Sequence, residues 1–204
     1  MNVFESALAE YFGPDNLKKI QDARVGIAGL GGLGSNCALD LVRSGFRKLT
    51  LCDFDKVEAK NLNRQFYFLD QIGMAKAEAL KINLLRINPG LEVKCVLEKL
   101  DDDNISAIFS DSDVVVEGFD NVASKRMITS TYGRCGKFFV SASGLAGWGD
   151  ADAIVTRKIH DTFYLIGDLR SEVSRECPPC SPRVALAAAK QADCILAWVL
   201  KKIE

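Results

Sequence analysis

Two groups of residues in this chain have the types and spacing for chemistry. The first is Gly29-Leu30-Gly31-Gly32-Leu33-Gly34, a G-x-G-x-x-G spacing between an apolar run, Arg24–Ala28, and a helical pattern that extends to Gly45. Glycines so placed let the backbone turn tightly and let phosphates approach main-chain N–H groups at a helix N-terminus. Gly29 suits the turn, Gly31 the approach of phosphate and Gly34 the packing of helix on strand. Asp53 closes the next strand pattern, Leu49–Cys52, where a carboxylate accepts hydrogen bonds from ribose hydroxyls. The second group is Asp55, Asn61, Arg64, Gln65 and Lys76, a carboxylate, two amides and two cations in one segment. Cations so placed resemble a clamp that offsets charge developing on transferring phosphates. Asp120, just past the apolar run Asp113–Glu117, is placed to hold magnesium beside a polyphosphate.

On the glycines and Asp53 alone, a dinucleotide-dependent dehydrogenase is the default reading. A hydride-transfer site also needs an apolar nicotinamide slot and a proton relay. The one histidine, His160, falls in a predicted hairpin turn and reads as exposed, so ATP poised for reaction is favoured over a held dinucleotide. A blander reading makes Arg64 and Lys76 solvated surface charges and Asp120 the cap of a helix starting at Val122.

The elements that must position these residues follow from the patterning. A helical segment over about 4–20 is interrupted near Gly13-Pro14, and Gly73-Met74 opens a helix that ends before Asn88-Pro89-Gly90. Glu92–Leu97 alternates like a half-exposed strand, Asp101–Phe109 opens like a helix, and Asp113–Glu117 reads as a buried parallel strand. A helix over about 122–135 leads to the strand Lys137–Ser141. This alternation predicts an α/β fold with a Rossmann-like, doubly wound, mostly parallel sheet. Asp152–Arg157 and Thr162–Ile166 then form an antiparallel hairpin, because Lys158–Asp161 is too short for a parallel crossover. A long polar loop over 167–182 and an Ala-rich helix over about 182–202 complete the chain. The glycine-rich stretch Ser143–Gly149, which holds Trp148, follows the last parallel strand on the same edge.

Composition narrows the partners. The chain has 204 residues, 48% hydrophobic and 26% charged, which suits one domain over 1–204 with a nucleotide-binding half at 20–141 and a second part at 142–204. A formal net charge of -1 gives no basic field for nucleic acid. The most apolar stretch, Val184–Leu200, is interrupted by Lys190, Gln191 and Asp193, and Met1–Glu5 lacks a leader pattern, so no membrane association is expected. Seven cysteines without framework spacing fit a reducing cytoplasm. Only Cys177-Pro178-Pro179-Cys180 looks chemical. A single C-x-x-C pair makes zinc unlikely.

Gly29–Gly34, Asp53–Glu58, Asn61–Gln65, Gly73 with Lys76, Ile87–Pro89 and Asp120-Asn121 occur in the order and spacing of the ubiquitin-activating-enzyme superfamily, over about 20–200. The chain most resembles its short sulfur-carrier adenylyltransferases of thiamine biosynthesis (ThiF type), and the molybdopterin-synthase adenylyltransferases are close relatives. The resemblance implies that ATP and magnesium are bound. It also implies that a small ubiquitin-fold carrier inserts its Gly-Gly tail beneath the loop around 165–182, and that the tail carboxylate is adenylated with release of pyrophosphate. Gly31 and Gly34, with Gly29 and Gly32 in the same loop, would face the phosphates, and Asp53 would bind ribose beside Asp55. Asn61, Arg64, Gln65 and Lys76 would hold the triphosphate, and Asp120 the magnesium. Arg64, Lys76 and Asp120 would be the catalytic set. Cys177 or Cys180 sits where some relatives place a thiol that links to the carrier. A homodimer is usual, but the N-terminal arginine element of relatives is replaced by Glu10-Tyr11-Phe12-Gly13-Pro14. Another acceptor carboxylate, on the molybdopterin carrier, a peptide or a tRNA base, is the alternative. The tRNA version is disfavoured by charge and by extra C-terminal sequence in those relatives. A non-catalytic binding module is disfavoured because the clamp residues are present.

Overall fold

A computed structural model describes residues 1–201. Its strands are β1 (Arg24–Ala28), β2 (Lys48–Cys52), β3 (Glu92–Val96), β4 (Val114–Glu117), β5 (Phe138–Ala142), β6 (Val155–His160) and β7 (Phe163–Gly167). They form one sheet in the order β3-β2-β1-β4-β5-β7-β6, parallel throughout except for the antiparallel β6–β7 pair. The helices are α1 (Val3–Phe12), α2 (Pro14–Asp22), α3 (Gly32–Arg43), α4 (Lys76–Leu85), α5 (Ile105–Ile108), α6 (Val122–Tyr132) and α7 (Ser181–Val199). The Rossmann-like, doubly wound sheet with its late hairpin is therefore the observed fold.

Side-chain alternation explains the layering. Val25, Ile27, Val114, Val116, Phe138 and Val140 join a core with residues of α3, α4 and α7. Their neighbours Ala28, Cys52, Val115 and Phe139 pack on the other face with Ile105, Phe109, Ile128 and Tyr132. Burial on both faces is why β4 reads as an unbroken apolar run. Gly26 admits Phe109 onto the sheet, since a Cβ there would lie 2.4 Å from the ring. Phe138 stacks on Trp198 at 4.9 Å, which ties α7 to the sheet. Among the described residues no helix is long and apolar enough to cross a membrane.

Three local expectations change. Helix α4 starts at Lys76, because residues 73–75 pair antiparallel with 55–57: Gly73 N donates to Val57 O and Val57 N to Met74 O, both at 2.8 Å. Helix α5 is a single turn, because Asp101 Oδ1 accepts the N–H groups of Asp103 and Asn104 at 3.0 Å and holds that stretch in a turn. Strand β6 continues through His160, leaving Asp161-Thr162 as the link. The His160 ring is accordingly half-buried, against the Gly133 carbonyl and edge-on to Phe163, and is not an exposed turn residue.

Strand order reverses between β1 and β4, and open α/β sheets bind ligands in the crevice at such a switch point. The turn after β1 and the turn after β4 meet there: a Cβ on Gly118 would lie 2.5 Å from Gly29 O.

Candidate active site

The glycine turn is a packed hinge with one open face. Gly29 has φ +85°, a conformation that favours glycine, and its N–H donates to Cys52 O at 2.9 Å. A Cβ on Gly34 would stand 1.9 Å from Gly29 O, and one on Gly32 would stand 2.6 Å from Val184 Cγ1. The Cα side of Gly34 is thus closed by helix–strand packing, the role its place in the spacing suggests, and Gly32 answers first to α7. Gly31 differs: a Cβ there would meet nothing nearer than Gln65 Nε2 at 3.8 Å. The first amide repaid within α3 is Ser35, whose N–H donates to Gly31 O at 3.0 Å, so the earlier N–H groups of the helix are free to serve an anion.

Asp53 is 8% exposed and already occupied on both oxygens. Oδ2 accepts Leu30 N at 2.7 Å and Oδ1 accepts Asp55 N at 2.8 Å, so the carboxylate sets the shape of the glycine turn from β2. Lys76 is 6% exposed, and its ammonium donates to Asp55 Oδ2 at 2.8 Å and lies 3.8 Å from Asp53 Oδ2. It is a buried cation at the first position of a helix that has no side-chain cap. The helix dipole opposes positive charge there, so local stability alone does not select it. The view of Lys76 as a solvated surface charge is excluded.

Three residues of α3 and its approach hold the Asn61–Tyr67 segment in place. Asn36 Nδ2 donates to Arg64 O at 2.8 Å, Phe66 N donates to Ser35 Oγ at 3.0 Å, and Tyr67 OH donates to Leu30 O at 2.8 Å. Burial pushes the Tyr67 phenol well above its usual pKa, helped by Asp53 and Asp55, so it remains a donor. The Arg64 stem passes Gly32 (3.4 Å from Cγ to a Cβ built there), while its head donates to Asn63 Oδ1 at 2.8 Å. Gln65 is buried beside Gly31, and its Oε1 has no hydrogen-bond partner. That orphaned acceptor fits a ligand hydroxyl or amine. Asn61 is buried as a turn cap, with Oδ1 accepting Glu58 N at 2.9 Å.

At the end of β4, Asn121 caps α6 by accepting Ser124 N at 2.8 Å, which leaves Asp120 exposed. The blander reading of Asp120 as that cap is thereby excluded. Among the described residues no group of three or more His, Cys, Asp or Glu side chains could hold a metal ion. A magnesium ion at Asp120 would therefore take most of its shell from phosphate and water.

Sequence reading missed the support beneath this edge. Glu117 is fully buried, bonded to Lys125 Nζ at 2.8 Å through both oxygens, to Ser141 Oγ at 2.6 Å and to Phe119 N at 2.7 Å. Lys125 also donates to Ala142 O at 2.7 Å, and Gln191 Nε2 donates to Glu117 O at 3.1 Å. The Glu117 carboxylate thus ties β4 to β5 and α6, and its main-chain carbonyl adds α7. A second pair, Asp168–Arg183, anchors the base of the 167–182 loop. Arg183 also donates to Gly149 O and Asp150 O at 3.2 and 3.3 Å. Burial raises the Asp168 pKa, but N–H groups of Ser171 and Arg170 and the Arg183 guanidinium outweigh it, so the carboxyl lies below its usual value.

The loop itself rests lightly. Gly147 N donates to Pro178 O at 2.9 Å, and Asn63 Nδ2 donates to Pro179 O at 3.2 Å. Cys177 and Cys180 are half-buried free thiols on either side of those prolines. The glycine-rich stretch 143–149 therefore carries the loop on its Gly147 N–H.

The family model described as ThiF matches residues 4–203. The chain belongs to the ThiF family. This ThiF-family chain is 38% identical over 120 residues to the molybdopterin-synthase adenylyltransferase of Escherichia coli (strain K12), covering 58% of this chain and 48% of that protein. It is 36% identical over 135 residues to the adenylyltransferase and sulfurtransferase MOCS3 of Drosophila grimshawi, covering 66% of this chain and 30% of that one. It thus spans less than half the length of these curated relatives. Among solved structures, the ThiF-family fold here overlays the E. coli tRNA N6-threonylcarbamoyladenosine dehydratase TcdA in complex with ATP, with a TM-score of 0.87 and 23% identity, over 97% of this chain and 93% of that chain.

Proposed function

We propose that this protein adenylates the C-terminal Gly-Gly carboxylate of a small ubiquitin-fold sulfur carrier, consuming ATP and releasing pyrophosphate. The observation that carries the reading is Lys76, a buried ammonium held by Asp55 and Asp53 beneath a glycine turn whose one open residue is Gly31. The N–H groups opening α3 bind phosphate, and the Gln65 amide meets a ligand hydroxyl or amine. Asp53 keeps the turn open and offers its remaining lone pairs to ribose. As the carrier carboxylate attacks the α-phosphorus, negative charge builds on the phosphate oxygens. Lys76 and Arg64 offset that charge, and Asp120 would hold a magnesium ion, whose chemistry there would be further charge neutralisation. The AMP moiety passes to the carboxylate and pyrophosphate leaves.

The carrier we propose is that of thiamine biosynthesis, on the resemblance of the motif set. The molybdopterin carrier is the second reading, and the 38% identity to a molybdopterin-synthase adenylyltransferase favours it. Adenylation of a tRNA base is opposed by the net charge of -1. Length does not oppose it, because the chain covers 93% of the solved TcdA chain. A homodimer and a reducing cytoplasm, suited to seven free thiols, belong to the same proposal.

ATP–pyrophosphate exchange with each carrier tests it. Exchange dependent on the thiamine carrier is expected. Exchange with the molybdopterin carrier alone would move the protein to that pathway, and none with either would refute carrier adenylation.

A further inference from the structure

The crossover loop and the clamp arginine share one side chain. Asn63 Oδ1 accepts Arg64 Nη1 at 2.8 Å, and the same amide's Nδ2 donates to Pro179 O at 3.2 Å. Only one orientation of the amide satisfies both, since a guanidinium only donates and a proline carbonyl only accepts. Pro178 and Pro179 lack N–H groups, so this part of the loop docks through carbonyls, on Gly147 N and on Asn63. With its head on Asn63 Oδ1 and Lys60 O, Arg64 is bonded to neighbouring chain rather than to the open face at Gly31.

We propose that Asn63 is a positioning residue that latches the crossover loop to Arg64, so that drawing Arg64 onto a nucleotide phosphate loosens the loop. This rests on the adenylation reading for the nucleotide. The link itself rests on the two bonds. The guanidinium and the Pro179 carbonyl together hold the amide in one orientation, and once the guanidinium leaves, the Nδ2–Pro179 bond alone holds it, so one of the loop's two carbonyl contacts weakens. Neither the glycine turn nor the Asp168–Arg183 anchor takes part, so the base of the loop stays put while Cys177–Cys180 lifts.

The loop's own thiols report on this without any turnover. Alkylation rates of Cys177 and Cys180, read by peptide mass spectrometry, are measured in wild type, Asn63→Ala and Asn63→Asp, with and without a non-hydrolysable ATP analogue. Asn63 is exposed, and the Asp variant keeps the acceptor for Arg64 while removing the donor to Pro179. Without nucleotide, both variants are expected to react about threefold to tenfold faster than wild type, the range one hydrogen bond allows. The analogue is expected to accelerate wild type similarly and to leave both variants unchanged. Equal rates in wild type and the variants without nucleotide would overturn the latch. So would a wild type that binds the analogue with no change in rate, or variants that still respond. A wild type that binds no analogue would sink the nucleotide reading instead, and the rates without nucleotide would still decide the Asn63–Pro179 link.

Discussion

The glycine turn and the crossover loop lie at the same crevice and are held in opposite ways. At Gly29 and Gly34 main chain packs closely on main chain, and Asp53 and Tyr67 fasten Leu30 through its N–H and its carbonyl. Around Cys177–Cys180, prolines rest on Gly147 and Asn63, and the surrounding residues 172–176 are exposed. Under the proposed function, a site that aims phosphates is served by the first kind of construction, and a cover that admits a protein tail by the second.

The difference can be broken most severely at Gly34. Gly34→Ala forces a methyl into Gly29 O and is expected to cost about 3 kcal/mol, lowering the melting temperature by roughly 6–12 °C in a chain of this length. Gly149→Ala, at φ +70° with nothing within 4 Å, should cost only about 1 kcal/mol. Calorimetry on the pair checks the contrast, and similar losses at both sites would remove it.

Within the rigid region, Lys76→Ala and Arg64→Ala should each lower carrier-dependent pyrophosphate exchange about 10²–10³-fold. Near-normal exchange in both would exclude the phosphate clamp.

How much of this was legible in the sequence follows the same division. That the glycine turn, Asp53 and Lys76 come together was readable, because their placement depends on a few neighbouring residues and one local turn. The structure adds a packing role for Gly32 against Val184 and a capping role for Asn61, roles that depend on which element approaches. Glu117–Lys125, Glu117–Ser141 and Asp168–Arg183 join residues on different elements, at separations of 8, 24 and 15, so no local pattern pairs them. One signal was available. Arg183 and Gln191 fall on the same helical stripe as Val184, Ala187 and Ala188, and a polar residue on an apolar stripe needs a buried partner.

A smaller effect is expected at the loop's base. The Asp168 carboxyl is held below its unfolded value, so its stabilisation is complete above about pH 4 and fades as pH falls through the folded value. The melting-temperature gap between wild type and Asp168→Asn should therefore shrink as pH is lowered from about 5 to about 3. A constant gap would show that Arg183 does not depend on that charge. The smallest effect is expected at the thiols: Cys177→Ala and Cys180→Ala should leave pyrophosphate exchange within about twofold of wild type, because neither side chain contributes charge to the clamp. Lost exchange would bring the thiols into the adenylation step.

The most direct test of the central claim is the intact mass of a Gly-Gly-ended carrier after incubation with this protein, ATP and magnesium. The account predicts a carrier bearing one AMP, absent when Lys76→Ala replaces the wild type. An unmodified carrier with the wild-type protein, for both the thiamine and the molybdopterin carriers, would contradict it.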